Sequence, residues 1–363
     1  MRILHFSDIH LSDENFEIYD FTFRDKLLKI LWEEHQKKNI DIVVITGDLV
    51  DRGGHSLKNL DEYDGYSDPY AFFEEHFIRP IMDRLKLESR NFLFIAGNHD
   101  VDENEILFVD EKFLKKHEAA GEINKLLKDT RDKSHLQYSH RIKKFKDFEE
   151  KFHKENFDKN YTFTRNQSTF IYNYKGTNVG FALINDSWRC STCVFHEYHG
   201  QGLFFGTKQL RDSLKILKGA TLMNVVLTHH PLEKFAEAEE IKEILTNNDF
   251  HLHLYGDQHH HEMHPLLSAD GACFGIMARS TLNKPLEPES KWQSGFTIID
   301  LNLDEATTEC ISYFKYYTRG EFDTDNEVAT GGKDTRKHYL HYTPKKVEKN
   351  ENDDLKLENY FKE

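Results

Sequence analysis

Long apolar runs, cysteines and positive charge are all scarce in this sequence of 363 residues. No apolar run approaches the roughly eighteen residues that a membrane-spanning helix needs, so we expect no membrane span and no membrane partner. The chain enters its first apolar strand without a basic and then apolar leader, so we do not expect secretion. Four cysteines do not make a disulfide framework in a chain of this length, which favours a reducing cytoplasm.

Negative charge is in excess. Asp and Glu number 63 against 48 Lys and Arg, which gives a net charge of −15. Such a chain repels phosphate groups at long range, so a phosphorylated substrate would need a local source of positive charge, and bound divalent cations would supply it. The 22 histidines suit a metal-binding protein without establishing one.

Strands and helices alternate in the first hundred residues. Apolar runs at residues 2–6, 41–46 and 91–96 predict strands, and helical spacing of apolar residues predicts helices at 24–38 and 69–87. This order is typical of a parallel sheet with crossover helices. In such sheets the ligand site lies beyond the carboxyl ends of the strands.

Polar side chains follow each of these three strands. Asp8 and His10 follow the first strand, Asp48 follows the second, and Asn98 and His99 follow the third. One such junction is compatible with an ordinary polar loop, but three in a row are hard to explain by loop composition. The pattern therefore predicts a metal site at this edge of the sheet.

The charged stretch at 101–167 predicts a helical insert, either a solvated cap or a lid over the site. A hairpin is expected at 168–186, and further strands at 222–228 and 251–255 run into polar loops. Three later strands are expected to form an antiparallel second sheet; they lie around 273–278, 295–303 and 309–317.

Two cysteines three residues apart, Cys190 and Cys193, allow two interpretations. With His196 and His199 nearby they would form a small structural zinc site, and otherwise they are free thiols.

The strand-end motifs read, in order, D-x-H, G-D, G-N-H-D, H-H-P and G-x-x-H. This set resembles the calcineurin-like metallophosphoesterases, in particular their phosphodiesterase and nuclease type, over roughly residues 1–305 apart from the insert. The resemblance implies an α/β fold: a four-layer α/β/β/α sandwich of two mixed sheets flanked by helices, with a helical insert. We expect this domain to span 1–317. We expect 318–363 to be a C-terminal extension, tail or linker, through which a further domain or a protein partner would make contact.

The resemblance also implies two divalent metal ions. Each metal has its own group of matching motif residues, and one further carboxylate matches the ligand that bridges the two metals. The matching residues are Asp8, His10 and His259 for the first metal, Asp48 for the bridge, and Asn98, His229 and Asp257 for the second.

The same resemblance assigns roles around the substrate. His99 matches the catalytic imidazole near the substrate phosphate, and Asp100 is the residue expected to orient it. Asn98 and His99 would contact the phosphate, as would Arg52 of the Asp-Arg-Gly sequence; a salt bridge to Asp51 is an equally good explanation of Arg52.

The fifth motif departs from the family pattern Gly-His-x-His, because Asp257 replaces the first histidine. As an oxygen ligand Asp257 would favour manganese or magnesium at the second position; manganese is the metal we expect, with iron, zinc and magnesium as alternatives. Two other interpretations stay open: His259 and His261 form the H-x-H pair in a shifted register, or the second metal binds weakly. His230 is expected to pack rather than to bind metal.

The expected activity is hydrolysis of phosphate esters by attack of a metal-bridging hydroxide. Leu11 after D-x-H and Asp100 in G-N-H-D both differ from the phosphatase branch, so the preferred substrates are phosphodiesters, either a nucleic acid or a cyclic nucleotide. One alternative is a phosphomonoesterase acting on a phosphoprotein or small metabolite. Another is a metal-bound, inactive interaction module.

Overall fold

The computed structural model describes residues 1–107, 120–127, 140–157, 160–190, 203–247, 249–267, 271–282 and 289–340. Cys193, His196 and His199 of the possible zinc site lie outside these residues. The described residues form the following strands: β1 (Arg2–Phe6), β2 (Ile42–Thr46), β3 (Phe92–Ile95), β4 (Tyr161–Thr162), β5 (Ser168–Tyr174), β6 (Thr177–Leu183), β7 (Met223–Leu227), β8 (Leu252–Tyr255), β9 (Glu262–Leu267), β10 (Ala272–Met277), β11 (Gly295–Asn302), β12 (Thr307–Tyr317), β13 (Glu321–Thr324) and β14 (Lys333–Asp334).

Helices connect many of these strands. The helix predicted at 69–87 includes a π-helical turn at Glu74–Ile78. The α-helices of the described residues are Asp13–Ile18, Arg24–Lys37, Pro69–Phe73, Arg79–Leu85, Ala120–Leu126, Lys143–Phe152, Lys208–Leu217 and Ala238–Leu245.

Two mixed sheets form the centre of the fold. The first has the strand order β13-β12-β11-β1-β2-β3, with β14 paired to β12. The second has the order β4-β5-β6-β7-β8-β10-β9. In the first sheet β1, β2 and β3 are parallel, and in the second β6, β7, β8 and β10 are parallel. The predicted parallel crossover arrangement and the two mixed sheets are confirmed.

The prediction that the last three strands form a separate antiparallel sheet is wrong. β10 lies parallel to β8 in the second sheet, whereas β11 pairs with β1 and β12 pairs with β11 in the first. The physical reason is that each of these strands pairs with an edge that is otherwise open. β11 pairs with the free side of β1, β12 then pairs with β11, and β10 pairs with the free side of β8.

Apolar side chains fill three layers. Between the sheets, buried residues of both sheets, such as Val44 and Val225, belong to a shared core. On the outer face of the first sheet, the Arg24–Lys37 helix buries Leu27 and Leu31, because they lie four residues apart on one helix face. On the outer face of the second sheet, Leu210 and other side chains of the Lys208–Leu217 helix do the same. The result is the expected four-layer sandwich.

Part of the predicted insert belongs to the outer layer of the first sheet. Phe148, in the Lys143–Phe152 helix, stacks on Phe94 of β3 with ring centroids 4.9 Å apart and on Tyr70 at 5.4 Å. Within the same stretch, Lys146 is buried beside Glu149. This helix is therefore a core element rather than a solvated cap. Residues 108–119 and 128–139 of the insert lie outside the described residues.

The first sheet continues beyond residue 317. β13 pairs with β12, and Asp325 just after β13 binds the buried guanidinium of Arg279 at 2.6 Å. β14 also pairs with β12, and Leu340 is fully buried. Residues 321–324 and 333–334, within the extension predicted at 318–363, thus belong to this sheet. Residues 341–363 lie outside the described residues.

No helix among the described residues is both long enough and apolar enough to cross a membrane.

Candidate metal centre

The carboxyl ends of β1, β2, β3, β7 and β8 meet at one edge of the two facing sheets. Each of these strands delivers at least one predicted metal ligand to that edge, and the loops are short, so the side chains converge. The residues are Asp8 and His10 after β1, Asp48 after β2, Asn98 after β3, His229 after β7, and Asp257 and His259 after β8.

The three ligands predicted for the first metal lie together. The Nε2 atoms of His10 and His259 are 3.3 Å apart. His259 Nε2 lies 3.4 Å from Asp8 Oδ1, and His10 Nε2 lies 3.8 Å from the same oxygen. Two imidazole nitrogens and one carboxylate oxygen thus face a common point.

Asp48 lies between this group and the residues predicted for the second metal. Its Oδ2 is 3.5 Å from His10 Nε2 on one side and 3.3 Å from His229 Nε2 on the other. Asn98 Oδ1 is 3.0 Å from His229 Nε2. A carboxylate in this position has the geometry required of a bridging ligand.

The donor atoms fit divalent cations in their chemistry and in their unused bonding capacity. Asp8 Oδ1 is buried and has no hydrogen-bond partner within the described part of the chain. His229 Nδ1 donates to the carbonyl oxygen of Thr46 at 2.8 Å, which leaves the Nε2 lone pair free to bind a metal. A buried carboxylate oxygen without a partner is costly unless a cation satisfies it.

Asp257 lies at the border of the second group. Its Oδ1 is 3.9 Å from His229 Nε2, while its Oδ2 binds the ammonium of Lys234 at 2.5 Å. His261 lies elsewhere, with its ring against Tyr313 at 4.8 Å. The structure therefore gives no support to the shifted register in which His259 and His261 would be the ligand pair.

The loops reach these positions through tight turns and unusual backbone conformations. Gly47 has φ of 90°, and a Cβ there would strike the His229 ring; a Cβ on Gly97 would strike the Asp48 carboxylate. Left-handed backbone conformations are otherwise rare for residues with side chains, and they cluster at functional sites. Five of the predicted ligands adopt them: Asp8 (φ 51°), His10 (49°), Asp48 (53°), Asp257 (72°) and His259 (61°).

The buried charges depend strongly on one another. Burial acts to raise the pKa of the Asp48 carboxyl, but the imidazoles of His229 and His10 outweigh burial and hold the pKa well below its ordinary value. Burial acts to lower the pKa of His229, but the Asp48 carboxylate outweighs burial and raises the pKa well above its ordinary value. The carboxylates thus stay ionised and need positive charge close by, from protons or from cations.

His99 lies beside this group and is oriented by Asp51. Its Nδ1 is 2.5 Å from Asp51 Oδ1, and its backbone N–H donates to Asp48 Oδ1 at 2.7 Å. The ring of His99 packs edge-on against His10, with centroids 4.4 Å apart. Asp51 is not among the predicted site residues and is expected only as a partner of Arg52. The signal for it in the sequence is its place three residues after Asp48, in the same strand-end loop.

Asp100 does not contact the His99 ring, contrary to the role expected for it. Its carboxylate accepts hydrogen bonds from the backbone N–H groups of Leu49, Val50 and Gly97, at 2.8 to 3.3 Å. Burial, followed by the nearby Asp48 charge, raises the pKa of Asp100 to about 7. Asp100 therefore ties the loop after β2 to the loop after β3 and positions the ligands indirectly.

Arg52 extends into solvent near this edge. Its side chain is 63% exposed, and its Nε lies 4.0 Å from Asp51 Oδ2. That distance makes at most a weak ion pair, and the substrate contact that the resemblance implies for Arg52 stays a prediction.

The two facing sheets and the carboxylate–imidazole cluster at their common edge define a two-sheet α/β protein with a candidate dinuclear metal centre. The model of the calcineurin-like phosphoesterase family matches residues 1–261. The chain therefore belongs to the calcineurin-like phosphoesterase family.

The chain is also similar to other proteins. The uncharacterized metallophosphoesterase-like protein YydB of Bacillus subtilis is 24% identical over 385 residues, which cover all of this chain and 70% of YydB. Among solved structures, zinc-bound Vps29 of Entamoeba histolytica has a TM-score of 0.34 at 11% identity, with 89% of this chain and 96% of Vps29 covered. The NAD nucleotidase of Haemophilus influenzae has a TM-score of 0.39 at 14% identity, with 94% of this chain and 50% of the nucleotidase covered.

Proposed function

We propose that this protein hydrolyses phosphate esters with two divalent cations and that its preferred substrates are phosphodiesters. The observation that supports the proposal is the convergence of the predicted ligands, from five separate strand-end loops, around Asp48. Asp48 has an imidazole on each of its two sides, which is the arrangement expected of a carboxylate shared by two cations.

In this proposal, one group of residues binds the cations and His99 acts on the substrate. Asp8, His10 and His259 would hold one cation, Asn98, His229 and Asp257 would hold the other, and Asp48 would contact both. When bound, the cations supply Lewis-acid chemistry, because they neutralise phosphate charge and lower the pKa of a water molecule.

His99 is placed to handle the leaving group. Its Nδ1–H donates to Asp51, so its Nε2 is the atom that would hold a proton for the departing oxygen. Burial acts to lower the pKa of His99, but the carboxylates of Asp48 and Asp51 outweigh burial and raise it above the ordinary value. The raised pKa favours the protonated imidazole, which is the form that donates to a departing oxygen.

The charge balance at the edge of the site favours a diester. Within the described part of the chain, the two basic side chains that contact residues of this edge are Arg52 beside Asp51 and Lys234 beside Asp257, and each is accompanied by a carboxylate. A phosphomonoester carries about two negative charges near neutral pH, whereas a phosphodiester carries one. Lys234 is closely paired with Asp257 and the charge of Arg52 is offset by the Asp51 carboxylate beside it, so little net positive charge is left and the edge suits the smaller charge of a diester.

The exposed guanidinium of Arg52 favours a second candidate, a phosphomonoesterase. Its weak pairing at 4.0 Å would let it turn to a terminal phosphate. The two candidates differ in the charge of the substrate and therefore in the ester that reacts faster.

The test compares bis(p-nitrophenyl) phosphate with p-nitrophenyl phosphate, with manganese or zinc added to chelator-treated protein. We expect faster turnover of the diester, and near-background rates for Asp48→Asn and for protein without added metal. Faster turnover of the monoester would favour the second candidate. No turnover of either ester by metal-loaded protein would leave the inactive interaction module as the explanation. Single- and double-stranded nucleic acids and cyclic nucleotides would then narrow the substrate.

A further inference from the structure

A second set of metal-binding side chains borders the group around His229. His230 Nε2 lies 3.9 Å from Asp257 Oδ1 and 3.8 Å from the sulfur of Cys190. Cys190 and His230 are 4% and 3% exposed, and Cys190 forms no disulfide. An imidazole nitrogen, a thiol and a carboxylate oxygen are thus buried side by side.

The hydrogen bonds of His230 orient its ring as those of a metal ligand would. Its Nδ1 lies 3.3 Å from Asp186 Oδ2, which also accepts the backbone N–H groups of His229 and His230 at 3.0 and 2.8 Å. An imidazole held by a carboxylate through Nδ1 presents Nε2 to a metal. His229 is held in the same way, by the Thr46 carbonyl.

Both imidazoles face the same carboxylate oxygen. The Nε2 atoms of His229 and His230 are each 3.9 Å from Asp257 Oδ1, and the three donor atoms lie within 4.8 Å of one another. The Asp257 side chain is 10% exposed, so water compensates little of its charge. Two oriented Nε2 atoms and one shielded carboxylate oxygen form a set of donors suited to a cation.

We propose that His230 is a ligand of the second cation and supplies the imidazole that the fifth motif lacks at Asp257, with the Cys190 sulfur as an adjacent donor. This inference rests on the proposed two-cation function. Nitrogen and sulfur donors favour zinc, iron(II) or cobalt(II) over manganese and magnesium. The second position would therefore prefer these metals, in contrast to the manganese expected from Asp257 alone. Binding through sulfur would release the thiol proton to solvent.

The first experiment measures cation affinity by competition with a chelator. Chelator-treated wild-type protein should bind two Zn²⁺ ions, and His230→Gln should bind one of them at least tenfold more weakly. His264→Gln is the matched control, because His264 is 45% exposed on β9 and pairs with Glu262. Equal affinities of wild type and His230→Gln for both ions would overturn the proposal, as would a wild-type protein that binds fewer than two.

The second experiment identifies the donors by spectroscopy. The Co²⁺-loaded wild-type protein should show a thiolate-to-cobalt charge-transfer band in the near ultraviolet. Cys190→Ser should lose the band, His230→Gln should weaken it, and His264→Gln should retain it. A wild-type spectrum without this band would remove Cys190 from the donor set.

A measurement on the wild type avoids variants that fail to fold. X-ray absorption of protein loaded with two zinc ions should show sulfur in the average coordination shell and more imidazole than three histidines provide. A shell that three imidazoles and oxygen describe fully would contradict the proposal. Failure of this inference can be distinguished from failure of the proposed function. If the protein hydrolyses esters but His230 does not bind metal, this inference alone is contradicted. If the protein binds both ions through His230 but does not hydrolyse esters, the proposed function alone is contradicted.

Discussion

His99 and Asp51 form a hydrogen-bonded pair at the edge of the candidate metal centre, in which the carboxylate holds the ring through Nδ1; the proposed function makes this pair the proton donor. We expect His99→Gln to lower kcat by about 10²- to 10⁴-fold, the usual contribution of a positioned proton donor. Asp51→Asn should lower kcat by about 10- to 100-fold, the usual cost of losing the partner that orients an imidazole.

The double variant distinguishes this unit from two independent effects. If Asp51 acts through His99, then Asp51→Asn combined with His99→Gln should be no slower than His99→Gln alone. The number of bound cations, measured in parallel, should stay that of the wild type in all three variants. Multiplied rate losses, or a lost cation, would contradict the assignment.

His153 provides a pH-dependent contribution to stability at a distance from the metal centre. The side chain is fully buried and stacks on Tyr161 with centroids 4.2 Å apart, and neither ring nitrogen has a hydrogen-bond partner among the described residues. Burial, with a smaller effect of Lys146, lowers the pKa of His153 to about 3. Because this pKa lies below that of the unfolded chain, stability is present at high pH and falls as the pH drops below about 6.5.

His153→Phe should remove this pH dependence, because phenylalanine keeps the stacking and has no proton to bind. Between pH 8 and pH 5, the free energy of unfolding of the wild type should fall by about 2 kcal/mol more than that of the variant. Urea denaturation at the two pH values measures the difference. Parallel losses in both proteins would show that His153 is protonated in the fold or reaches solvent.

At the scale of single residues, the sequence predicted the positions of the ligands better than the contacts of their neighbours. Asp8, Asp48 and His229 each follow an apolar strand, and the end of a parallel strand determines where such a side chain lies. Asp51 and Asp100 are both acidic residues in strand-end loops, and the sequence does not specify which of them turns towards His99. That choice depends on the backbone N–H groups that surround Asp100 in the folded chain.

At the scale of elements, the helix Lys143–Phe152 has either of two roles: it stabilises the fold as part of the core, or it covers the candidate metal centre as a lid. Phe148 is 2% exposed between Phe94 and Tyr70. Phe148→Ala should cost about 3–5 kcal/mol of stability, the range for a buried phenylalanine that leaves a cavity. Phe21→Ala is the matched control, because Phe21 is 76% exposed.

Measuring both the melting temperature and kcat of Phe148→Ala distinguishes the core role of this helix from the lid role. In a core helix, Phe148→Ala lowers the melting temperature, while kcat per folded molecule at low temperature stays close to that of the wild type. A variant with unchanged stability and reduced kcat would instead support the lid interpretation.

Strands and helices could largely be predicted from local patterns, but their sheet membership could not. β10, β11 and β12 are similar apolar runs, yet β10 joins the second sheet and the other two extend the first. Pairing is decided by which sheet edge is open when the chain returns, and that information lies far away in the sequence. The same limit affected residues 318–340, whose polar composition resembles that of a tail although the two short strands within them, β13 and β14, pair with β12.

At the scale of the whole molecule, shortening the chain at its C-terminal side tests how much β13 and β14 contribute to stability. A chain that ends at Tyr317 loses β13 and Asp325, and with them the partner of Arg279, whose side chain is 3% exposed. Removing one partner of a buried ion pair costs about 3–5 kcal/mol, and proteins of this kind have about 5–15 kcal/mol of stability in total. The shortened chain should therefore lose a large share of its stability and melt at a clearly lower temperature than the full chain.

A chain that ends at Leu340 is the matched control, because it retains β13, β14 and the buried Leu340 side chain. It should melt within a few degrees of the full chain, by circular dichroism, and should bind the same number of cations. The Tyr317-terminated chain should melt at a clearly lower temperature and be cleaved faster by protease. Equal melting of the two shortened chains would mean that the first sheet is complete without β13 and β14, and would support a boundary at residue 318.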